Sequence, residues 1–290
     1  MPSPSWIASI TGYWFRFWTS RRWALSLSAV LWLLVLPVAG QSGQPSRLLV
    51  TVVDAMGAPV TDLPAENFQI LVDKTPRQVQ KAEYRKNLLN VALLVETSAY
   101  AGMGRAEQIA RMAGFLIQQL GEKEQMSVVS YATNADVLQD FTSSKPLLMR
   151  SLAGIKNGND ASTMDAIYAT VDGAFQGTVG RNVVMVISTG TEGFNKVKRA
   201  EIVELAERRK VSVFGISLNG NKDPLERLAD ETGGAYYGGR DLRQPDALAK
   251  NLLDSFRGYY VLTVNGSLEG NVKVEVSPAK EKLQITQRRD

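Results

Sequence analysis

Apolar and polar positions alternate in two different ways along this chain. Between residues 88 and 256, short apolar runs are followed by segments whose apolar residues recur at helical spacing. The run NVALLVE at residues 90–96 is typical of a strand buried on both faces, and residues 105–120 predict a helix. This alternation repeats to residue 256. It predicts an α/β fold with a mainly parallel, Rossmann-like central sheet and helices on both faces.

The segments that flank this region have a pure strand pattern. Residues 47–87 and 257–290 contain short apolar runs separated by turn residues and no helical periodicity. YYVLTV (259–264) and NVKVEV (271–276) predict a hairpin around Asn265 and Gly266, with KLQIT (282–286) as a third strand. We expect the strands from both ends of the chain to pair in one small all-β module. Asn265-Gly-Ser also matches a glycosylation acceptor, but a turn explains it without modification.

The first forty residues differ from the rest. They contain no acidic residue and all five tryptophans. Arg21 and Arg22 precede the apolar run ALSLSAVLWLLVLPVA, which ends in small residues, as in a secretory signal peptide. We therefore predict a signal peptide over 1–40, a polar linker over 41–46, and an exported, periplasmic or extracellular chain. The alternative is an uncleaved segment that anchors the protein in the inner membrane, which is the only membrane contact expected.

Charge and composition exclude several classes of function. The net charge is +4, but three of the 33 basic residues lie in the predicted signal, which leaves 30 basic against 29 acidic residues. A nucleic-acid partner is therefore not expected. The chain contains no cysteine and no histidine. This excludes disulfides, thiolate nucleophiles, histidine metal sites and the usual Ser-His-Asp arrangement, so we predict a protein that is not an enzyme.

Polar residues follow several of the predicted strands directly. In VALLVETSAYAGMG (91–104), a buried strand ends in a carboxylate, hydroxyls, a tyrosine and a glycine-rich turn. Ligands of open α/β sheets bind beyond the carboxyl ends of the strands. We therefore expect the functional surface in the loops after Val95, Ile155 and Ile187. We call residues 96–104, 157–162 and 189–195 the rim.

These stretches carry a resemblance to a known family. VALLVETSAYAGMG and VVMVISTGTEG (183–193) resemble the von Willebrand factor type A domain. With VTVVDAMGAPVTDLPAENFQILVD (50–73) before them and YYVLTV and KLQITQR after them, residues 48–289 are similar to the bacterial VWFA-related, acidobacterial-type proteins. The order and spacing of the motifs are more specific than any one of them. The resemblance implies a protein-binding α/β domain over residues 88–256.

The resemblance also implies a metal-ion-dependent adhesion site at the rim. In the family, Asp-x-Ser-x-Ser, a Thr from a second loop and an Asp from a third hold a cation such as Mg²⁺, which leaves a coordination position for the partner. Here Glu96 stands at the leading Asp, Ser98 keeps the first Ser and Tyr100 replaces the second. Aligned on Asp-Ala-Ile at 165–167, Ala161 stands at the Thr and Thr189 at the last Asp. One carboxylate and one matched hydroxyl are too few ligands to bind Mg²⁺ well, so we predict a degenerate, metal-free site.

The ligand set leaves alternatives open. A different loop register would let Asp160, Ser162, Thr163 or Glu192 compensate, and Glu96 and Ser98 would then hold Mg²⁺. Alternatively, Glu96 is a strand-end carboxylate capped by loop amides, with Ser98 in a turn. Our main hypothesis is a rim of Glu96, Ser98, Tyr100, Ala161 and Thr189 that binds a protein partner without metal. Tyr100 is the preferred contact, because an exposed tyrosine offers apolar area and a polar tip.

Overall fold

The computed structural model describes residues 45–102, 104–219, 224–238, 244–277 and 283–289. The predicted signal peptide and most of the predicted linker lie outside these residues. Gln41–Asp290 forms one compact unit. Among the described residues, no helix combines the length and the apolar character that crossing a membrane requires.

A six-stranded sheet forms the centre of the α/β region. Its strand order is β10-β9-β8-β5-β6-β7, and every pair is parallel except β6 with the antiparallel edge strand β7. The mainly parallel sheet predicted from the sequence is confirmed. The strands are β5 (Leu89–Glu96), β6 (Gln125–Tyr131), β7 (Ala135–Thr142), β8 (Arg181–Ser188), β9 (Val211–Ser217) and β10 (Tyr236–Gly238).

Seven helices accompany this sheet in the described part of the chain. They are α1 (Ala99–Gly102), α2 (Ala106–Gln118), α3 (Lys145–Leu152), α4 (Thr163–Gly173), α5 (Arg199–Arg209), α6 (Pro224–Glu231) and α7 (Pro245–Arg257). Apolar residues of α2, α3 and α7 pack on one face, and those of α4, α5 and α6 pack on the other. The one-turn helix α1 was not predicted from the sequence.

Strand β5 shows why the sheet needs helices on both faces. All eight of its residues are buried. Because successive side chains of a strand point to opposite faces, Val91, Leu93 and Val95 enter the α2 side, while Ala92 and Leu94 enter the α4 side. A continuous apolar run is therefore stable only between two helical layers.

The β module contains strands from both ends of the chain. One antiparallel sheet has the order β13-β1-β11-β4, and a second has the order β12-β2-β3. Apolar side chains of both sheets share one core, so the expected pairing of N- and C-terminal strands is confirmed. The strands are β1 (Ser46–Val53), β2 (Phe68–Val72), β3 (Thr75–Arg77), β4 (Val79–Lys86), β11 (Gly258–Val264), β12 (Val272–Val276) and β13 (Gln284–Arg289).

The predicted hairpin around Asn265 and Gly266 is wrong. Strand β11 pairs with β1 and β4, whereas β12 pairs with β2 in the other sheet. The chain does turn at Gly266, which has a positive φ of 86°. It then crosses between the sheets, because the apolar side of β12 is buried against the facing sheet and not beside β11. The predicted linker is also one residue too long, since Ser46 already belongs to β1.

A tight two-residue turn connects two strands of the module. Strands β2 and β3 pair with Val72 opposite Thr75, so only Asp73 and Lys74 connect them. Both residues have positive φ (48° and 69°), as a type I′ turn requires. Pro76 therefore lies in β3 and not in the turn.

Candidate functional site

The carboxylate of Glu96 is the centre of the rim. Glu96 ends β5, and only 2% of its surface is exposed. Its Oε2 accepts a hydrogen bond from the Thr189 backbone N–H at 2.5 Å. Its Oε1 accepts bonds from the hydroxyls of Ser98 at 2.5 Å and Thr189 at 2.9 Å. Three donors from two loops thus satisfy a charge that burial alone would make very costly.

The two hydroxyls are saturated in turn. The Ser98 oxygen accepts a long bond from the Ala101 N–H at 3.4 Å, and the Thr189 oxygen accepts one from the Thr191 N–H at 3.2 Å. Each hydroxyl therefore donates to Glu96 and accepts from a backbone amide. The first and third loops are held together by these bonds.

The second loop is tied to the other two through its backbone. Ala99 donates its N–H to the Asn159 carbonyl at 2.8 Å, and Gly193 donates to the Ala161 carbonyl at 2.7 Å. The Asp160 carboxylate accepts from the N–H groups of Ala161 and Phe194 at 3.2 and 3.3 Å. Asp160, an alternative metal ligand in the sequence analysis, therefore caps backbone amides of the loops.

The third loop also caps the amino end of α4. The Glu192 carboxylate accepts from the Thr163 N–H at 3.0 Å, and the Asn195 side-chain oxygen accepts from the Met164 N–H at 2.9 Å. The first amides of a helix have no partner within the helix, so these bonds satisfy them. The Glu192 carboxylate also accepts from the Asn195 side-chain N–H at 2.6 Å, which fixes the cap.

These residues do not fit Mg²⁺ as they are arranged. Mg²⁺ needs about six oxygens in a nearly octahedral shell, usually including one or two free carboxylates. Both oxygens of Glu96 accept hydrogen bonds from the neighbouring donors, and Ala161 is buried and its side chain offers only a methyl group. No group of three or more acidic side chains that could hold a metal ion occurs in the described ranges. The longer side chain of Glu96 itself connects the two loops that a cation would connect.

The structure brings the predicted rim residues together and buries most of their side chains. Glu96, Ser98, Ala161 and Thr189 are each at most 2% exposed, so a docked protein would not touch their side chains. Their role in partner binding stays a prediction, and with their side chains covered by the loops they connect, it would be to hold those loops in place. The alternative interpretation of Glu96 as a capped strand-end carboxylate describes the geometry correctly. Tyr100 is half-buried and remains available for contact.

The sequence reasoning missed the most exposed aromatic residue of the rim. Phe194 is 71% exposed. Its backbone is held on both sides, since its N–H donates to Asp160 and its carbonyl accepts from the Ser162 hydroxyl at 2.7 Å. The sequence feature that could have predicted this contact residue is an aromatic side chain in the otherwise polar loop TGTEGFNK. Phenylalanine is costly to expose, and aromatic residues are enriched in protein interfaces.

A buried phenol lies beneath the rim. The hydroxyl of Tyr131 is fully buried near those of Thr163 and Ser188, without a hydrogen bond of standard geometry to any group in the described residues. Burial, and then the charge of Glu96, raise the pKa of Tyr131 well above its ordinary value of 10.0. The phenol is therefore neutral, and it adds no acid or base to the rim near neutral pH.

Comparison with known proteins gives three findings. A family model described as von Willebrand factor type A domain matches residues 90–251, which is more than half of the chain. No curated protein matches the chain. Three of the similar solved structures each have 13% sequence identity, and at that identity similarity shows the fold alone.

The first of these structures is an aerotolerance-related membrane protein from Bacteroides fragilis NCTC 9343, with a TM-score of 0.50 over 58% of this chain and 98% of that one. The second is BatB from Bacteroides thetaiotaomicron, with a TM-score of 0.48 and the same coverage. The third is proximal thread matrix protein 1 from the mussel byssus, with a TM-score of 0.48 over 62% of this chain and 49% of that one.

Proposed function

Since this chain belongs to the von Willebrand factor type A domain family, we propose that it is a non-enzymatic module whose rim binds a protein partner without a bridging metal ion. The observation that carries the proposal is Phe194, an exposed aromatic side chain on a backbone fixed by the second loop. A rigid aromatic anchor loses little entropy when a partner covers it. Tyr100, half-buried on the first loop, would extend the same contact surface.

The hydrogen bonds within the rim support binding without metal. In a cation-dependent site, the ion both organises the loops and provides a bond to the partner. Here the carboxylates of Glu96, Asp160 and Glu192 organise the loops by accepting backbone amides. The rim is thus ordered before a partner arrives, and the apolar surface of Phe194 provides the attraction.

The surroundings of Ser98 support a non-enzymatic role. Its side chain is fully buried, and its hydroxyl donates to Glu96. A serine nucleophile needs a neighbouring base and access to the substrate carbonyl. Ser98 is inaccessible to any substrate, so it acts as a structural donor.

The proposal places the module outside the cytoplasm, on the strength of the first forty residues. Their basic flank, apolar run and small-residue exit are typical of an export signal. The absence of cysteine is compatible with an oxidising compartment, since no thiol is present to oxidise.

Site-specific photo-crosslinking in the native cells tests this function. A photoreactive phenylalanine analogue at position 194 should capture a defined protein partner. The matched control carries the analogue at Val179, which is 84% exposed and precedes the opposite end of β8. A product at 194 that is absent at 179 supports rim docking. Equal products at both positions, or none at 194, would contradict it.

The same experiment separates metal-free binding from the cation-dependent alternative. Adding a chelator before irradiation should leave the yield at 194 unchanged. A product that disappears with chelator and returns with Mg²⁺ would show that the family's cation-dependent mechanism operates through Glu96 and Ser98.

A further inference from the structure

A cavity with a strongly basic lining lies at the other end of the central sheet. Its volume is about 120 Å³, and it opens where the amino ends of β8 and β9 meet the β module. No acidic side chain is among its described lining residues. The polar residues that line it are Thr51, Asn87, Arg181, Lys210, Ser212 and Arg288.

The guanidinium of Arg181 is buried at this cavity, and within the described ranges it has no acidic partner. Only 8% of the Arg181 surface is exposed. Its Nη1 donates to the Gly258 carbonyl at 2.8 Å, and its Nη2 donates to the Thr51 hydroxyl at 3.1 Å. Its Cζ lies 4.8 Å from the centre of the Tyr259 ring. All of these partners are neutral, whereas buried arginines are usually paired with a carboxylate.

A second buried arginine lies close enough to affect Arg181. Arg288 is also 8% exposed and lines the same cavity. Burial, and then the charge of Arg288, lower the pKa of Arg181 to about 9. Both effects disfavour the charged form of Arg181. An anion beside the Arg181 guanidinium would oppose both effects, because it supplies opposite charge and further acceptors for the Arg181 N–H groups.

The rest of the lining suits an oxygen-rich anion. Guanidinium groups bind the oxygens of carboxylates and phosphates through parallel N–H bonds. Ser212, from β9, also lines the cavity and carries a hydroxyl group. Lys210 and Asn87 are exposed, so they lie where an anion would enter, and Lys210 adds positive charge there.

We propose that this basic pocket is a binding site for a small oxyanion, a phosphate or carboxylate group, held by Arg181 and Arg288 and approached past Lys210. The volume accommodates one such group and excludes a nucleotide. The site is independent of the rim, since Arg181 begins the strand that ends at Ser188 beneath the rim. Failure of rim docking would not affect it.

Thermal unfolding in different anions tests the proposal. The purified protein is melted in phosphate, acetate and chloride at equal ionic strength. At a concentration of about 100 times the dissociation constant, the specific anion should raise Tm by about 5 °C relative to chloride. A larger effect of phosphate or of acetate identifies the group that the pocket prefers. No specific effect of either anion would overturn the proposal.

Variants locate the effect. Lys210 lies on the surface, so the Lys210→Gln variant should fold. It should lower the affinity for the specific anion about fivefold, because it removes an exposed charge at the entrance. The matched control Lys196→Gln removes an exposed charge next to the rim and should keep the full effect. Arg181→Met should abolish the anion effect. If Arg181→Met fails to fold, the difference between the two lysine variants decides.

General stabilisation by phosphate does not confuse the result. Excluded salts stabilise all variants alike, so the measured quantity is the difference between variants. An equal rise of Tm in wild type, Lys210→Gln and Arg181→Met would show that the anion acts elsewhere, and it would overturn the proposed site.

Discussion

Two buried charges of opposite sign lie near the two ends of strand β8, and they differ in the partners that surround them. Glu96 lies beside the carboxyl end and accepts three hydrogen bonds from Ser98 and Thr189. Arg181 begins the strand, about 23 Å away along it, and its partners are neutral. The first charge is satisfied within the chain and organises loops. The second has only neutral partners in the part of the chain that the structure describes, which is the condition that favours an external ligand.

The comparison shows that charge alone does not mark a ligand site. The family resemblance drew attention to Glu96, yet its side chain is fully occupied by the protein. Arg181 belongs to no motif that the sequence displays, yet its charge is buried among neutral partners in the described residues. What distinguishes the two is the set of partners that the fold supplies.

The largest expected effect on stability comes from removing the hydrogen-bonded carboxylate of Glu96. Glu96→Ala removes the common acceptor and leaves the Thr189 amide and two hydroxyls without a partner. Each buried donor left unsatisfied costs about 1 to 3 kcal/mol, so we expect the free energy of unfolding to fall by about 3 kcal/mol or more. Urea denaturation measures it. The control Glu122→Ala, at an exposed position, should change it by less than about 0.5 kcal/mol. Equal losses in both variants would show that the Glu96 network is not structural.

A smaller effect is expected from rebuilding the family's cation site. The combined variant Glu96→Asp, Tyr100→Ser, Ala161→Thr and Thr189→Asp restores the ligands that the family pattern requires. Shortening Glu96 opens the space between the loops, and we expect Mg²⁺ to stabilise this variant by about 2.7 kcal/mol at 100 times its dissociation constant. Melting curves with Mg²⁺ and with chelator measure it. Wild type should show no difference between the two conditions, and a rise with Mg²⁺ in wild type would contradict a metal-free rim.

The smallest effect near neutral pH is expected for the phenol beneath the rim. Tyr131→Phe removes a hydroxyl that has no hydrogen-bond partner of standard geometry among the described residues, so the free energy of unfolding should change by less than about 1 kcal/mol at pH 7. Above pH 10 the free energies of unfolding of wild type and Tyr131→Phe should differ. The pKa of Tyr131 is raised in the folded state, so the unfolded phenol ionises first and pulls wild type towards unfolding.

This alkaline loss of stability should be smaller in Tyr131→Phe. The pKa values of Tyr84 and Tyr260 are also raised by burial, but both residues are present in both proteins and cancel in the difference. Denaturation at pH 7 and above pH 10 checks the prediction. Parallel curves over the whole range would contradict it.

Much of the α/β fold was predictable because its signals are local. The continuous apolar run at β5 and the helical spacing at α2 each depend on a few neighbouring residues. The hairpin at Asn265 and Gly266 was predicted from an equally local signal and is wrong. A turn dipeptide fixes the backbone at one point, but the pairing of β12 with β2 was decided by burial of apolar faces between two sheets.

The candidate site was predictable in position but not in role. The sequence placed polar groups at the carboxyl ends of the strands, and the structure brings Glu96, Ser98 and Thr189 together there. The sequence could not show that these side chains form hydrogen bonds with one another and that Phe194 is left as the exposed aromatic residue. Exposure of one residue depends on the loops around it, which come from distant parts of the chain.

The sequence by itself determined the family and the mainly parallel sheet, because both follow from residue types in order along the chain. Only the tertiary structure decided how the buried charges are satisfied. Glu96 meets Thr189 across 93 positions, and Arg181 meets Thr51 across 130. The physical reason is that desolvation and pairing of a charge depend on which distant groups the folded chain brings to it.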